Sequence, residues 1–586
     1  MLPRLRYKSI SDFLACGLTD IMKHPLSIIE ARLIMTSQDT AIRYFTQAIR
    51  ENWGTPAFSD FHGDTYRYCD VARKIAKLHI LFDEAGIKPG DKIAFCGRNC
   101  SQWAMAVLAT ITYGAVAVPI LHDFKPDTVS HLVDDSDSRM LFADAAVWDK
   151  LEADTLPKLE GAVLVDDYSI LFSRSKKLSK AREHLNLLFG ERYPERFTPD
   201  MVVYPDIEPD SVAIINYTAG STGFSKGVML THRNVWSNLQ YSIDGLTFLK
   251  PGDGMVSILP QAHMFGLMIE CFHPFVKGCH VYFLSRTPSP KILLDAFAEV
   301  RPKLIVAVPL IIEKIVKTKV FPVLNKPMMK VLLHTPFIDD KVLAKVKTQL
   351  INAFGGRLQQ LIIGGAAVSA DVEKFLRRIQ FPFTVGYGMT ECGPLIGYAP
   401  WNEQRPGACG RIVDRMEARV ASDDPANRPG VLFVRGQNVM KGYYHNEEAS
   451  RAVIDSDGWM NTGDICTVDP DGFIYIRGRD KNMILGPSGQ NIYPEELEQK
   501  LNNLPLVAES LIIDDHGKLT ALIHPDYDTA RKDGLDEAAI EAAMKKNVAV
   551  LNSQIPAFSQ VRDFRIMKEE FEKTPKRSIK RYLYNK

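Results

Sequence analysis

Cysteine is scarce in this chain: nine in 586 residues, and no two of them form a CxxC pair. Cys16, Cys69, Cys96, Cys100, Cys271, Cys279, Cys392, Cys409 and Cys466 are scattered and odd in number. That pattern excludes a disulfide framework and a zinc ligand set, and reads as reduced, mostly buried thiols of a cytosolic protein. An excess of one charge is also missing. Lys+Arg number 71 against 70 Asp+Glu, a net charge of +1, so the composition does not point to nucleic acid. No internal repeat is visible. Long hydrophobic runs are nearly absent. The start, MLPRLRYKSISDF, has basic residues but no apolar run behind them, unlike a signal peptide. One stretch, 99–121, carries no charge and is long enough in principle to span a bilayer. Asn99 and Ser101 read as a helix cap, Gly114 breaks the run and Pro119 follows. The stretch is therefore predicted as a buried helix, Gln102 to Tyr113, and a buried strand, Ala115 to Ile120. The expectation is a soluble, cytoplasmic protein with no transmembrane segment. Peripheral membrane contact stays open, and the basic run 173–182, SRSKKLSKAR, reads first as a solvated helix or loop.

What is there is an ordinary globular share of apolar residues, 46%, on a chain long enough for two to four domains. Val71, Ile75, Leu78 and Phe82 recur at helical spacing up to Gly86, and Ile93 to Cys96 reads as the next strand. Such alternation predicts an α/β fold with helices over mostly parallel sheet. Further strands are expected at Ser211 to Tyr217, Leu361 to Ile363, Val431 to Arg435 and Phe473 to Ile476. From about Arg479 the composition turns polar, as in a small α+β domain behind a short hinge.

Four motifs carry chemistry. The first is Tyr217-Thr218-Ala219-Gly220-Ser221-Thr222-Gly223-Phe224-Ser225-Lys226-Gly227. Its glycines permit close backbone approach, its hydroxyls and N–H groups can donate to phosphate oxygens, and Lys226 adds a charge. It is not a kinase-type P-loop, because Ser225 stands where that pattern needs glycine. The second is Gly386-Tyr387-Gly388-Met389-Thr390-Glu391, an aromatic face beside a carboxylate that could hold Mg²⁺. The third ends in Asp464, whose carboxylate can accept from a ribose diol. The fourth joins Gly478-Arg479-Asp480-Lys481-Asn482 to Gly486-Pro487-Ser488-Gly489 and a helix opened by Pro494.

In this order the four motifs resemble those of the adenylate-forming superfamily, the acyl-CoA synthetases with an AMP-binding domain, over about residues 60–586. The resemblance implies a large N-terminal domain (1–478) with parallel sheets covered by helices, a hinge (479–481) and a small mobile C-terminal domain (482–586). It implies activation of a carboxylic acid by ATP and Mg²⁺ as acyl-AMP with loss of pyrophosphate, then transfer to a thiol. By motif match, Thr218, Ser221, Thr222 and Lys226 look like the phosphate loop, Glu391 the Mg²⁺ ligand and Thr390 a phosphate contact. Gly364, Gly365 and Ala366 with Tyr387 and Gly388 look like the adenine pocket, and Asp464 and Arg479 like ribose ligands. Lys481 looks like the hinge residue, and Ser488 and Gly489 like the pantetheine loop. His263, in Leu259-Pro260-Gln261-Ala262-His263-Met264-Phe265-Gly266, looks like the neighbour of the reacting carboxylate. No Asp stands nearby to hold an ammonium, which disfavours an amino-acid substrate. The helix-prone segment from Val308 to Ile363 resembles the insertion of medium- or long-chain fatty acid ligases. The thiol acceptor is CoA or an acyl carrier protein.

One position departs from the family. Its C-terminal lysine lies in a run of the type Lys-Thr-Pro-x-x-Lys, and an ungapped match to Lys573-Thr574-Pro575-Lys576-Arg577-Ser578-Ile579-Lys580-Arg581 puts Ser578 there. Lys576 or Lys580 entering by a shifted loop, partial compensation by Arg577 or Lys580, or an adenylation-impaired acyl- or AMP-binding protein are the alternatives. Lys580 is taken as the candidate.

Overall fold

The computed structural model describes residues 39–218, 225–284, 290–335, 338–485, 490–574 and 579–584. The α/β rhythm is present. Val71, Ile75, Leu78 and Phe82 lie on the buried face of the helix Tyr68–Ala85, which stops at Gly86 in a left-handed conformation (φ +72°). The strand Lys92–Cys96 follows, then the helix Ser101–Tyr113, stopped by Gly114 (φ +86°), and the strand Val116–Ile120. The uncharged stretch is thus a buried helix and a buried strand, and no helix of the described residues is long and apolar enough to cross a membrane. The expected cap is different. Cys100 is the N-cap, its thiol accepting from Trp103 N. Asn99 is drawn away to Leu259 O and Gln261 N, while the Asp60 carboxylate accepts from Ser101 N and Oγ. All eight described cysteines are free thiols, six of them buried.

The main sheet has eight strands. Val116–Ile120, Lys92–Cys96, Ser138–Ala143 and Gly161–Leu164 form its parallel centre. On one side Val212–Thr218 turns back antiparallel as Lys226–Thr231, and the two-residue strand Gly442–Tyr443 closes that edge. A second sheet, all parallel, holds Leu304–Ala307, Gln360–Ile363 and Phe383–Val385. Every residue of these three strands is buried, which explains why their sequence is apolar except at Gln360 and Thr384. The segment 309–353 is helical except for its connections, as expected. Met416–Val420, Gly430–Gly436, Met460–Val468 and Ile474–Arg479 form an antiparallel sheet. That sheet is the antiparallel part of a large domain expected to be mostly parallel.

The C-terminal part is α+β. Val507–Asp515, Lys518–Pro525 and Asp563–Ile566 form a sheet packed on the helices Pro494–Asn502 and Glu537–Ser553. It has its own core of Leu497, Leu501, Ile512, Ile523, Met544 and Leu551. Before residue 60 the described chain has one helix, Ala41–Glu51, and one strand, Pro56–Asp60.

Candidate active site

Parallel strands leave their loops at the carboxyl edge, where open α/β sheets bind ligands. Here Ile363 pairs with Val385, so Gly364-Gly365-Ala366 and Gly386-Tyr387-Gly388 leave adjacent strand ends side by side. Gly364 N donates to Ala307 O and Gly386 N to Ile363 O, fixing both loops. Glycine is required at 364: a Cβ there would stand 2.8 Å from Cε1 of Phe265. The Phe265 ring belongs to the loop of His263, so this contact brings the expected acid-binding motif against the expected adenine loop. Gly365 has φ +86°, and both it and Ala366 are exposed.

The 259–266 loop is held from three directions. Asn216 Nδ2, on the 212–218 strand, donates to Ala262 O at 2.8 Å. Asn99 bonds Leu259 O and Gln261 N, and Cys100 N donates to Gln261 Oε1. Phe265 N donates to His263 Nδ1 at 3.2 Å. Behind the loop, Glu270 sits fully buried in a widened helical turn, Gly266–Phe272. Its Oε2 accepts from Ile258 N (2.9 Å), Leu259 N (2.8 Å) and Ser257 Oγ (3.3 Å). Burial pushes this carboxyl well above its usual range, against the pull of those donors.

Thr218 and Lys226 are cross-strand partners at the mouth of the 212–231 hairpin. Ser221 and Thr222, between them, lie outside the described residues. The Lys226 ammonium stands 4.8 Å from the centroid of the Tyr443 ring. Tyr443 OH donates to Glu391 Oε1 at 3.1 Å, and burial, then the nearby Glu391 charge, raise its pKa. Lys226, Tyr443 and Glu391 therefore form one row. Thr390 beside it is buried.

A second cluster surrounds Asp464. The antiparallel register sets Asp464 opposite Arg479, and their Oδ1–Nε distance is 2.6 Å. Tyr387 OH donates to Asp464 Oδ2 at 2.5 Å. Asp464 is 4% exposed. Burial raises its pKa, Arg479 and the Tyr387 hydroxyl lower it, and the Glu391 charge raises it, so the two clusters lie within electrostatic reach. Arg479 is the cation that compensates an otherwise costly buried carboxylate.

The C-terminal part touches this region. Gln499 Nε2 donates to Val368 O at 3.1 Å, and Gly478 lies so close to Glu495 that a Cβ would stand 2.8 Å from its Oε2. Lys481, in a single turn from Asp480 to Asn482, has its pKa lowered by desolvation and then by Arg479, with Arg581 adding to it. Lys580 pairs with Glu572 at 3.1 Å on its own domain. Arg581 turns inward to Glu498 Oε2 (2.6 Å) and Ile512 O (3.0 Å). Ser488, Gly489 and Ser578 lie outside the described residues.

The structure thus sets the Lys226–Tyr443–Glu391 row within electrostatic reach of the Tyr387–Asp464–Arg479 cluster, with the Gly364 loop joined to Tyr387 through the adjacent strand ends and to the His263 loop through Phe265. Sequence reasoning missed Tyr443, Phe265, Asn216, Glu270 and Arg581. Phe265 lay inside a motif already singled out. Tyr443, in Gly442-Tyr443-Tyr444, carried only the weak signal of an aromatic beside a glycine.

An α/β scaffold with a phosphate-type hairpin, glycine loops at a carboxyl edge and a buried carboxylate–arginine pair defines a nucleotide-handling enzyme class. The model of the AMP-binding enzyme family matches residues 45–444, and that of the AMP-binding enzyme C-terminal domain matches 481–586. The chain belongs to this family of adenylate-forming acyl- and aryl-CoA ligases. It is 28% identical over 570 residues to a long-chain-fatty-acid–CoA ligase of Mycobacterium bovis, covering 87% of this chain and 89% of that one. It is 29% identical to the long-chain-fatty-acid–CoA ligase of Escherichia coli (79% and 81%) and 27% identical to a probable 4-coumarate–CoA ligase of Dictyostelium discoideum (76% and 77%). Among solved structures, an anthranilate CoA ligase in complex with anthranoyl-AMP superposes with a TM-score of 0.73 at 19% identity, over 93% of this chain and 96% of that one. ATP-bound MatB from Rhodopseudomonas palustris superposes with 0.72 at 22%, over 93% and 98%. These likenesses establish the fold, including the small C-terminal domain.

Proposed function

We propose that the chain is a fatty acid:CoA ligase that activates a medium- or long-chain acid as acyl-AMP, releasing pyrophosphate, and then transfers the acyl group to the CoA thiol. A carboxylate is a poor electrophile because its charge repels nucleophiles and it lacks a leaving group. Attack of a carboxylate oxygen on the α-phosphorus of ATP expels pyrophosphate and supplies AMP as the leaving group. A thiolate then attacks the acyl carbon and AMP departs. The first step needs charge neutralisation and in-line positioning above all.

The observation that carries this reading is Phe265 against Gly364, which gives the acid loop and the nucleotide loop a common wall. His263 would border the reacting carboxylate. Thr218, Ser221, Thr222 and Lys226 would bind the triphosphate, Thr390 would contact phosphate, and Gly364, Gly365, Ala366, Tyr387 and Gly388 would enclose the adenine. Asp464 and Arg479 would take the ribose. Glu391 suits Mg²⁺: Tyr443 fixes one carboxylate oxygen, and this cation is ordinarily held by one or two carboxylates together with substrate phosphates. Bound there, Mg²⁺ would neutralise phosphate charge. We place the large domain at 1–478, the hinge at 479–481 about Lys481, and the small domain at 482–586, with Ser488 and Gly489 lining the pantetheine path. Lys580 would have to leave Glu572 to reach the acyl phosphate.

The fatty-acid assignment draws on the two fatty-acid-named relatives and on the inserted helices 309–353, whose inner face is apolar. The aryl-named relatives define the competing substrate class. The test is pyrophosphate release from the purified protein with ATP, Mg²⁺ and a panel of acids, with and without CoA. Release that depends on a medium- or long-chain acid, with acyl-CoA formed on adding CoA, is expected. Release with aryl acids alone overturns the substrate class. ATP binding without release from any acid overturns the ligase reading in favour of an adenylation-impaired protein with Ser578 at the lysine position. Release with an acid but acyl transfer only to an acyl carrier protein replaces CoA as acceptor.

A further inference from the structure

The inserted helices present an unusual outer face. Fourteen large hydrophobic side chains are exposed among the described residues, and five of them, Val308, Leu310, Val323, Met328 and Val331, fall within 308–331. Met328 is 75% exposed and Val331 66%. Their neighbours Ile312, Val316 and Leu324 point inward to a core shared with Leu343 and Leu350, so the segment's inner face is already used. Between 308 and 335 there are five lysines (314, 317, 319, 326 and 330) and a single acid, Glu313. That acid is engaged, accepting from Ser369 N at 2.6 Å, and Asp371 from a neighbouring helix faces Lys317 at 3.8 Å. Lys314, Lys319, Lys326 and Lys330 are exposed among the aliphatic side chains.

Exposed aliphatic side chains interspersed with exposed lysines on short helices match an interfacial surface, with apolar groups at the acyl boundary and ammonium groups among anionic headgroups. The face also has a place in the fold. Val308 follows the 304–307 strand, and its Cγ1 lies 4.0 Å from where a Cβ of Gly365 would be. Together with the Glu313–Ser369 bond this fastens the surface to the loop beside the nucleotide site.

We propose that the 308–331 face docks on an anionic lipid bilayer and so brings the 365–369 loop beside the nucleotide site to the membrane surface. The docking stands on this face alone. Its role in delivering a membrane-dissolved acid rests on the fatty-acid reading above.

The test is co-sedimentation of the full-length protein with phosphatidylcholine vesicles with and without phosphatidylglycerol. Two variants are compared, the triple Lys319→Glu/Lys326→Glu/Lys330→Glu and the double Met328→Ser/Val331→Ser. Unchanged thermal unfolding shows that each is folded. Turnover of a water-soluble medium-chain acid reports the ligase reading separately. The expected result is salt-sensitive binding to the anionic vesicles only, reduced at least tenfold by either variant. Absence of binding, or binding that both variants retain, overturns the proposal. So does a concentration-dependent dimer lost in the Met328/Val331 variant without vesicle binding, which assigns the face to a second copy of the chain. Capture of an acidic acyl carrier protein through the same lysines without vesicle binding also overturns it.

Discussion

Replacing Glu270 by glutamine should make the protein more stable at neutral pH, and increasingly so as pH rises. The carboxyl is fully buried; Oε2 takes three donors and Oε1 has no partner among the described residues. An ionised carboxylate there would leave half its charge facing apolar packing, so burial favours the neutral form and raises the pKa well above the usual carboxylate range. The unfolded chain ionises near its ordinary value. Between that value and the raised folded one, the native state keeps a proton that the unfolded state has lost. Stability therefore falls with rising pH, by about 1.4 kcal/mol per unit. The loss accumulates with each unit of pH above the unfolded value and ends where the folded pKa is passed. Glutamine keeps the acceptor for Ile258 and Leu259 N–H and cannot ionise. Urea unfolding of both proteins, followed by tryptophan fluorescence from pH 5 to 8, should give nearly equal stability at pH 5 and a growing advantage for Glu270→Gln above it. A difference independent of pH, or one that grows in favour of the wild type, would refute the neutral buried carboxyl. Glu270→Leu, which leaves two buried N–H groups without an acceptor, should instead lose roughly 2–6 kcal/mol at every pH.

Gly364→Ala should displace the Phe265 ring at an overpacking cost of about 1–3 kcal/mol, raising the KM for the acid more than that for ATP; equal changes would separate the two loops. Tyr443→Phe removes a hydrogen bond to a carboxylate, a contribution of about 1.5–3 kcal/mol, and should lower kcat/KM ten- to a hundredfold at limiting Mg²⁺ with folding intact. Unchanged Mg²⁺ dependence would detach Tyr443 from Glu391. Arg581→Met breaks a buried pair with Glu498 and should destabilise the small domain by about 3–5 kcal/mol, whereas Lys580→Met should leave its unfolding unchanged and abolish adenylation. Normal pyrophosphate release from Lys580→Met would remove Lys580 from the chemistry.

Much of this was legible because it is local. The 3.6-residue spacing of Val71, Ile75, Leu78 and Phe82, with Gly86 free to adopt φ +72°, specifies a helix and its end without tertiary information. The strands 360–363 and 383–385 are short and, Gln360 and Thr384 apart, apolar because both faces are covered, and the glycine loops follow them directly. What stayed hidden depends on partners far along the chain. Tyr443 meets Glu391 across 52 positions. Phe265 explains Gly364 only once two sheets are packed together. Asn99 had the right residue type for a cap, but Leu259 and Gln261, about 160 positions away, claimed its side chain and left the role to a thiol. The antiparallel sheet 416–479 was half legible: strands were expected at 431–435 and 473–476, while 416–420 and 460–468 were missed because mixed burial and bulges blur strict alternation.

The energetics of the small domain bear on the proposed hinge. Its core is self-contained, so turning it would leave Leu501, Ile512, Met544 and Leu551 covered throughout. What such a turn would break is peripheral: the Gln499–Val368 bond, the apposition of Glu495 to Gly478, and the Arg477–Glu496 pair at 3.6 Å, whose side chains are 40% and 38% exposed. A neutral hydrogen bond contributes about 1 kcal/mol net and an exposed ion pair less than about 1 kcal/mol, so the ties are of the size a bound ligand can replace. The Asp464–Arg479 pair is of another kind. It is part buried, it is built into the register of one sheet, and it lies on the large-domain side of Lys481. A rotation about Lys481, beyond Arg479, would therefore leave the Asp464–Arg479 pair, the proposed ribose ligands, standing while the small domain exchanges one face for another. That is the separation of holding from moving that two successive half-reactions on one nucleotide require.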